Sequence, residues 1–255
     1  PDDGAQQHNA WGLIHVVDNE EDEPDQDYWF YFQANGKKYT NKFEGQTVNG
    51  KKYAFDNYGR MISGFVVLQM EGNTVGSGYS SKKIVQKVDS DGTYDTNDNY
   101  NKFVKANDSL FRSGELKAYF FGGSDDGSMK TGNVNVSIDG DSYAFKFATS
   151  GNKGVGLDGI DGNIFFVNGK KVKADSEDKY KVYVVTTKDR VIAEADSNAL
   201  VDSTITTEKK GRVGSDHSYV KPAAEGVTEK CVVVSSSGAL QGRGTKKDGN
   251  DINLV

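Results

Sequence analysis

The tetrapeptide NGKK occurs three times in this chain, at Asn35–Lys38, Asn49–Lys52 and Asn168–Lys171, each time beside a run of aromatic or β-branched residues. Asn-Gly between two such runs is the strongest short-range hairpin signal, because both central residues of a two-residue turn take positive φ. All three are therefore read as hairpin tips. A fourth turn, Asp139-Gly140, precedes Tyr143-Ala144-Phe145 as Asn49-Gly50 precedes Tyr53-Ala54-Phe55. Composition agrees with a chain built from turns. It has 30 glycines and only 3 prolines in 255 residues, 35% hydrophobic residues and a mean hydropathy of -0.66. Such a chain bends through glycine and lacks the apolar mass for one thick core, so many short strands over a thin core are expected.

The order of features repeats at longer range. The segment WFYFQANGKKYTNKFEGQTVNGKKYAFDNYGRMISGF runs from an aromatic group through two turns to a glycine-aromatic close, and Lys117 to Leu157 follows the same order. Fixed-order self-similarity is the mark of units too small to bury their own faces, which stack on their neighbours to do so. The fold class read here is all-β, with stacked β-hairpin repeats forming a solenoid-like ladder with irregular insertions. Its segments are 1–65 (an amino-terminal strand, an acidic loop and the first repeat), 66–115 (an insertion that extends the sheet), 116–157 (the second repeat) and 158–255 (a divergent third repeat region). Strands are expected at KYKVYVVTT, DRVIAEA, STITTE and EKCVVVSSSG, a helical turn or long loop in NDNYNKFVKANDSLFRSGE, and a short helix at ADSNALVD.

Several function classes fall away. A formal charge of -6 with Lys and Asp interspersed gives no basic face for nucleic acid. No apolar run is long enough to span a membrane, and PDDGAQQH has no signal-peptide pattern. The single cysteine, Cys231, sits among valines and reads as a strand residue, which excludes an internal disulfide. DNEEDEPDQD, from Asp18 to Asp27, repels itself and reads as a solvated loop. The histidines His8, His15 and His217 have neither zinc spacing nor a nucleophile turn beside them, so no catalytic residue is assigned and the chain is read as no enzyme. DSDGTYDTNDN, from Asp89 to Asn99, is rich in oxygen ligands, but its Gly92 is fourth where a calcium loop of the EF-hand kind needs glycine sixth. It is read as a turn, with no metal and no cofactor.

Tyr28-Trp29-Phe30-Tyr31-Phe32 followed by Asn-Gly-Lys, and NGKKYAFDNYGRMISGF from Asn49 to Phe65, resemble the cell-wall-binding repeats of Gram-positive surface proteins and lysins. The family's best-known members bind choline on teichoic acids, and relatives bind glucans. The resemblance implies a non-catalytic binding module of a secreted protein at the cell wall or cell surface, with teichoic acid, peptidoglycan or glucan as partner. The residues that would line its clefts are Trp29, Tyr31, Tyr53, Phe55 and Phe65 in the first unit and Tyr119, Tyr143 and Phe145 in the second. Ring faces hold a quaternary ammonium by cation–π attraction and a sugar by stacking. Gly64-Phe65 stands where the choline-binding pattern has Gly-Trp, and this smaller π face implies poor choline affinity. The alternative is a structural or adhesive scaffold whose repeats are spacers for a protein partner.

Overall fold

In the computed structural model the chain is described over residues 6–17, 26–72, 78–177, 180–185, 191–194, 218–221 and 229–240. It divides into two compact units, Pro1–Ser142 with Phe147–Val155, and Tyr143–Lys146 with Gly156–Val255. Antiparallel strands dominate both. In the first unit β1 (Ala10–Val16) pairs with β2 (Gln26–Phe32), setting Trp11 opposite Tyr31 and Leu13 opposite Trp29. A five-stranded sheet is built from β3 (Lys42–Val48), β4 (Lys51–Phe55), β5 (Gly64–Gly72), β6 (Tyr79–Lys87) and β7 (Leu116–Phe121), in the order β4-β3-β6-β5-β7. β8 (Gly132–Ile138) and β9 (Asp141–Phe147) flank the Asp139-Gly140 turn. In the second unit β10 (Gly159–Asp161), β11 (Ile164–Val167) and β12 (Lys170–Lys171) lead to β9, while β13 (Tyr180–Val185), β14 (Val191–Glu194), β15 (Ser218–Lys221) and β16 (Glu229–Ser235) form a sheet ordered β14-β13-β16-β15. Cys231 lies in β16; STITTE, ADSNALVD, His217 and most of the acidic run fall outside the described residues.

The turns are of two kinds, which corrects one expectation. Asn49-Gly50, Asp139-Gly140 and Asn168-Gly169 each have two positive φ values (51° and 81°, 52° and 79°, 45° and 92°), as two-residue hairpins require. Asn35 does not share this conformation: among the described non-glycine residues with positive φ are Asn49, Asp139 and Asn168, and Asn35 is absent. Instead Gln33 N–H donates to Lys37 C=O (2.9 Å) and Gly36 N–H to Gln33 C=O (2.9 Å). The same pair of bonds closes Asp56–Arg60 (3.0 and 3.1 Å) and Ser235–Ala239 (3.0 and 2.8 Å). Each of these five-residue turns puts only its fourth residue, Gly36, Gly59 or Gly238, at positive φ. The flanking residues then bridge as Phe32 to Lys38, Phe55 to Met61 and Val234 to Leu240. Asn35-Gly36 is thus a hairpin tip, but its glycine alone supplies the left-handed residue.

The residue leaving a turn also reaches back along the chain. Met61 N–H donates to Trp29 C=O and Met129 N–H to Lys52 C=O, both at 2.8 Å, and Trp29 and Lys52 each lie three residues before the phenylalanine that enters a turn, Phe32 and Phe55. Side chains follow: a Cβ on Gly127 would collide with Met61 Sδ, and one on Gly154 with Met129 Sδ. These methionines lie over bare glycine backbone. Beneath them the core of the first unit gathers Ala54, Ile62, Val66, Leu68, Met70, Ile84, Tyr119 and Phe121, with Met129 and Val155 packed against it.

The segment read as a helical turn or loop forms two helices, α1 (Asn97–Ala106) and α2 (Asp108–Ser113). Thr96 caps the first, its Oγ1 accepting Asn99 N–H at 3.1 Å, and Gly114 ends the second in the left-handed conformation. Only Tyr100 and Val104 of α1 are buried, so its apolar stripe is too narrow to stand out in a polar sequence. β5 and β6, which fall largely in the 66–115 insertion, join the sheet that holds β3, β4 and β7.

Gly127→Ala should destabilise the first unit by about 2–4 kcal/mol, combining left-handed backbone strain with displacement of Met61. Gly50→Ala, at positive φ but with open space around it, should cost only about 1 kcal/mol. Urea titrations of the two variants check the difference; equal losses would show that Met61 does not depend on the glycine.

Candidate functional site: an aromatic cluster on the amino-terminal hairpin

Four rings from two strands, β2 and β4, converge on Trp11 of β1. Trp11 lies 4.8 Å from Tyr53, 5.1 Å from Tyr31, 5.9 Å from Phe55 and 6.4 Å from Trp29, centroid to centroid. The Trp29, Tyr31 and Tyr53 contacts are edge-on, the arrangement that sets a ring's positive rim against a neighbour's negative face. Tyr39, on the return from the Gln33–Lys37 turn, stacks on Tyr31 at 5.7 Å with an 11° interplanar angle and touches Phe55 at 5.5 Å. Strand alternation explains the grouping: Trp29 and Tyr31 share one side of β2, and Tyr53 and Phe55 share one side of β4.

The predicted site residues separate by burial. Trp29 and Tyr31 are half-buried and keep part of their surface in water, whereas Tyr53 is buried and Phe55 fully so. Phe65 is half-buried and packs on Tyr100 (5.4 Å) and Tyr94 (6.1 Å), so it meets the helical segment and not the Trp11 cluster. Tyr119 belongs to the core, beside Phe121 at 5.8 Å. In the second unit Phe145 is buried, and half-buried Tyr143 carries Lys170 Nζ over its ring at 4.8 Å. Sequence reasoning missed Trp11 and Tyr39 as members of the cluster. Trp11 is one of only two tryptophans in the chain, and that rarity was the available signal.

Charges frame the cluster. Burial raises the Tyr53 phenol above its ordinary value, with Lys51 opposing and Asp126 adding to the rise. Asp126 itself is held down at about 2, first by its hydrogen bond with Lys130, and further by Ser128 Oγ (2.8 Å) and Lys51 Nζ (3.2 Å). Asp95 is lowered by Asn99 first, and its oxygens also accept from Gly92 and Thr96 N–H. Those carboxylate oxygens face N–H donors, and among the described residues no group of three or more His, Cys, Asp or Glu is placed to hold a metal. His15 Nδ1 lies 2.9 Å from Asp27 Oδ1, and His8 Nδ1 lies 2.9 Å from Ala34 C=O. No helix of the described residues is long and apolar enough to cross a membrane.

No family model matches the chain, and no curated protein matches it. Solved structures that match include CbpF in complex with ipratropium, at 17% identity and a TM-score of 0.35, over 91% of this chain and 48% of that one. Two structures of choline binding protein F from Streptococcus pneumoniae match at 16% identity and a TM-score of 0.19, one of them in the presence of a peptidoglycan analogue (tetrasaccharide-pentapeptide). The first covers 96% of this chain and 83% of its own, the second 91% and 79%. This chain spans about half the length of the CbpF chain in the ipratropium complex.

Trp11→Leu should cost about 2–4 kcal/mol, because it removes the ring that four others touch, while Trp29→Leu should cost about 1 kcal/mol or less. Guanidinium titrations followed by far-ultraviolet circular dichroism read both values, and a larger loss at Trp29 would displace Trp11 from the centre. A second expectation concerns acid. Asp126 is depressed in the folded chain, so its contribution is complete above the unfolded value of about 3.9 and is lost as pH falls toward 2. Asp126→Asn should therefore lower the urea midpoint at neutral pH and flatten its decline between about pH 4 and pH 2.

Proposed function

We propose that the chain is a non-catalytic module of a secreted bacterial surface protein that binds a cell-wall polymer or glycan through the aromatic residues of stacked β-hairpin repeats. The observation that carries this reading is the Trp11 cluster, in which Trp11, Trp29, Tyr31 and Tyr39 remain partly open to water above buried Tyr53 and Phe55. Rings held by their neighbours lose little freedom when a sugar ring lies against them, which is the condition for stacking affinity. Stacking of successive units is supported by the reach-back bonds of Met61 and Met129 and by the glycines that receive those methionines. Leu240 N–H donates to Asn163 C=O in the second unit at 3.0 Å. Asn163 and Leu240 stand about their turns, Asn168-Gly169 and Ser235–Ala239, much as Trp29 and Met61 do about theirs.

In this reading the first repeat lies in 1–65, the second in 116–157 and a divergent third in 158–255, with 66–115 an insertion, and the protein acts at the cell wall or cell surface. Trp29 and Tyr31 are the ligand-facing residues of the first unit, and Tyr143 is that of the second. Tyr53 and Phe55 act from beneath, as the packing that fixes the exposed rings of the first unit, while Tyr119, Phe145 and Phe65 serve the packing of the fold. A second reading, a structural or adhesive scaffold, is favoured by that same burial, since these five of the eight expected site rings are engaged in packing.

A pull-down of the purified chain on Gram-positive walls, with choline and glucan as competitors, separates the two. The module reading expects wall binding that glucan or a wall fragment displaces better than choline does, and that weakens about tenfold or more in folded Trp29→Ala. A folded wild-type chain that binds neither walls nor glycans would leave the scaffold reading in its place.

A further inference from the structure

Three Asn-Gly tips share the sequence NGKK, so chemistry set by neighbours along the chain is the same at Asn35, Asn49 and Asn168. Their surroundings differ. Asn168 is only 7% exposed, its N–H donates to Asp158 Oδ1 at 2.6 Å, and its side-chain amide, turned nitrogen-first, donates to the two Asp158 oxygens at 3.2 and 3.3 Å. Gly169 N–H donates to Leu157 C=O at 2.8 Å, close against the Gly156 backbone. At the first tip Gly36 N–H donates to Gln33 C=O at 2.9 Å, Asn35 Oδ1 accepts Lys37 N–H at 3.0 Å, and the Gln6 side chain lies over Gly36.

The middle tip is open. Asn49 and Gly50 are both exposed, and a Cβ on Gly50 would meet nothing within 4 Å. A two-residue turn is closed by its flanking residues, here Val48 and Lys51, so the Gly50 N–H is left to water. Having no Cβ, Gly50 also leaves its own nitrogen unshielded. A main-chain nitrogen that follows an asparagine closes a five-membered ring on the side-chain Cγ once it has shed its proton. A hydrogen bond from that N–H to a carbonyl opposes the loss, as at Gly36 and Gly169. The product has a precedent in this chain, since Asp139-Gly140 takes φ values of 52° and 79° where Asn49-Gly50 takes 51° and 81°.

We propose that Asn49 is a site of spontaneous deamidation, and that the fold protects Asn35 and Asn168 from the same reaction. The Gly50 nitrogen, its proton taken by a base from solvent, attacks Asn49 Cγ. The new C–N bond closes a succinimide, and the Cγ–Nδ2 bond breaks to release ammonia, which carries a proton away. Water then opens the ring. Attack at Cγ leaves an aspartate at this position, and attack at the main-chain carbonyl carbon leaves an isoaspartate, in which the chain runs through Cβ and Cγ. The aspartate keeps the two-residue turn, as Asp139 does. The isoaspartate lengthens the backbone between Val48 and Lys51, whose pairing closes the hairpin, and so loosens β4 at the end nearest Tyr53.

The test incubates the full chain at mildly alkaline pH, folded in one arm and unfolded in guanidinium in the other. Samples are digested at intervals, and mass spectrometry with electron-transfer fragmentation reads amide, aspartate and isoaspartate at positions 35, 49 and 168. In the folded arm Asn49 should convert about tenfold or more faster than Asn35 or Asn168, because each of those must first break a hydrogen bond at the attacking nitrogen. In guanidinium the three rates should come together, since the local sequence is shared. Equal rates in the folded arm, or an order that guanidinium leaves unchanged, overturn the proposal. Hydrogen exchange then separates the products. The isoaspartate fraction should lose amide protection at Val48 and Lys51, while the Asn49→Asp variant should keep it. An isoaspartate fraction as protected as the wild type overturns the loosening of the hairpin. None of these readouts depends on a wall ligand, so they stand apart from the Trp29-dependent binding proposed above.

Discussion

The first unit depends on backbone that can turn left-handed at short intervals. A strand of five to nine residues in a chain this polar buries too little to stand alone, so each must return at once to a partner. Asn49-Gly50 does this with two positive-φ residues, and Gln33–Lys37 and Asp56–Arg60 do it with one glycine each in a longer loop. The second solution has a further effect. Because its glycine lacks a Cβ, the longer turn offers a flat backbone surface, and in the related loop at Gly127 that surface receives Met61. Turn chemistry and packing between hairpins are thus one constraint.

Aromatic residues then serve two purposes with one kind of side chain. Phe55, Tyr119, Phe121 and Phe145 supply burial that aliphatic residues are too few to provide. Trp11 packs on Tyr53 and Phe55 and Tyr39 on Phe55, and these two in turn orient Trp29 and Tyr31. On a thin sheet these layers are one ring apart, so a binding surface and a core cannot be told apart by residue type. The cations show the same economy. Lys170 over Tyr143 and Arg60 over Tyr28 and Tyr58 cover ring faces that would otherwise meet water, and they reduce the aromatic surface left for a ligand.

Much of the local architecture was legible because turn preferences act over four or five residues. The tips at Asn49-Gly50, Asp139-Gly140 and Asn168-Gly169, and the strands beside them, follow from which residues tolerate positive φ and from alternation in the flanking runs. Asn35-Gly36 shows the limit. The same dipeptide takes another turn there, because the bridge between Phe32 and Lys38 leaves five residues to close and not two. The helices at Asn97–Ala106 and Asp108–Ser113 were hidden for a different reason, since their buried residues amount to Tyr100, Val104 and Phe111.

The sequence by itself determined a β-rich chain, its turn positions and the set of rings from which a site must be drawn. These are local matters of backbone sterics and composition. Only the tertiary structure decided which rings are walls and which are core. Tyr53 and Trp29 are equally aromatic in sequence, but Trp11 comes from a strand about forty residues before Tyr53 and closes over it, leaving Trp29 at the edge. It also decided that Arg60 lies against Tyr28, thirty-two residues away, because the Asp56–Arg60 turn brings its exit beside β2. Burial is a property of what arrives from elsewhere in the chain, and sequence spacing does not carry it.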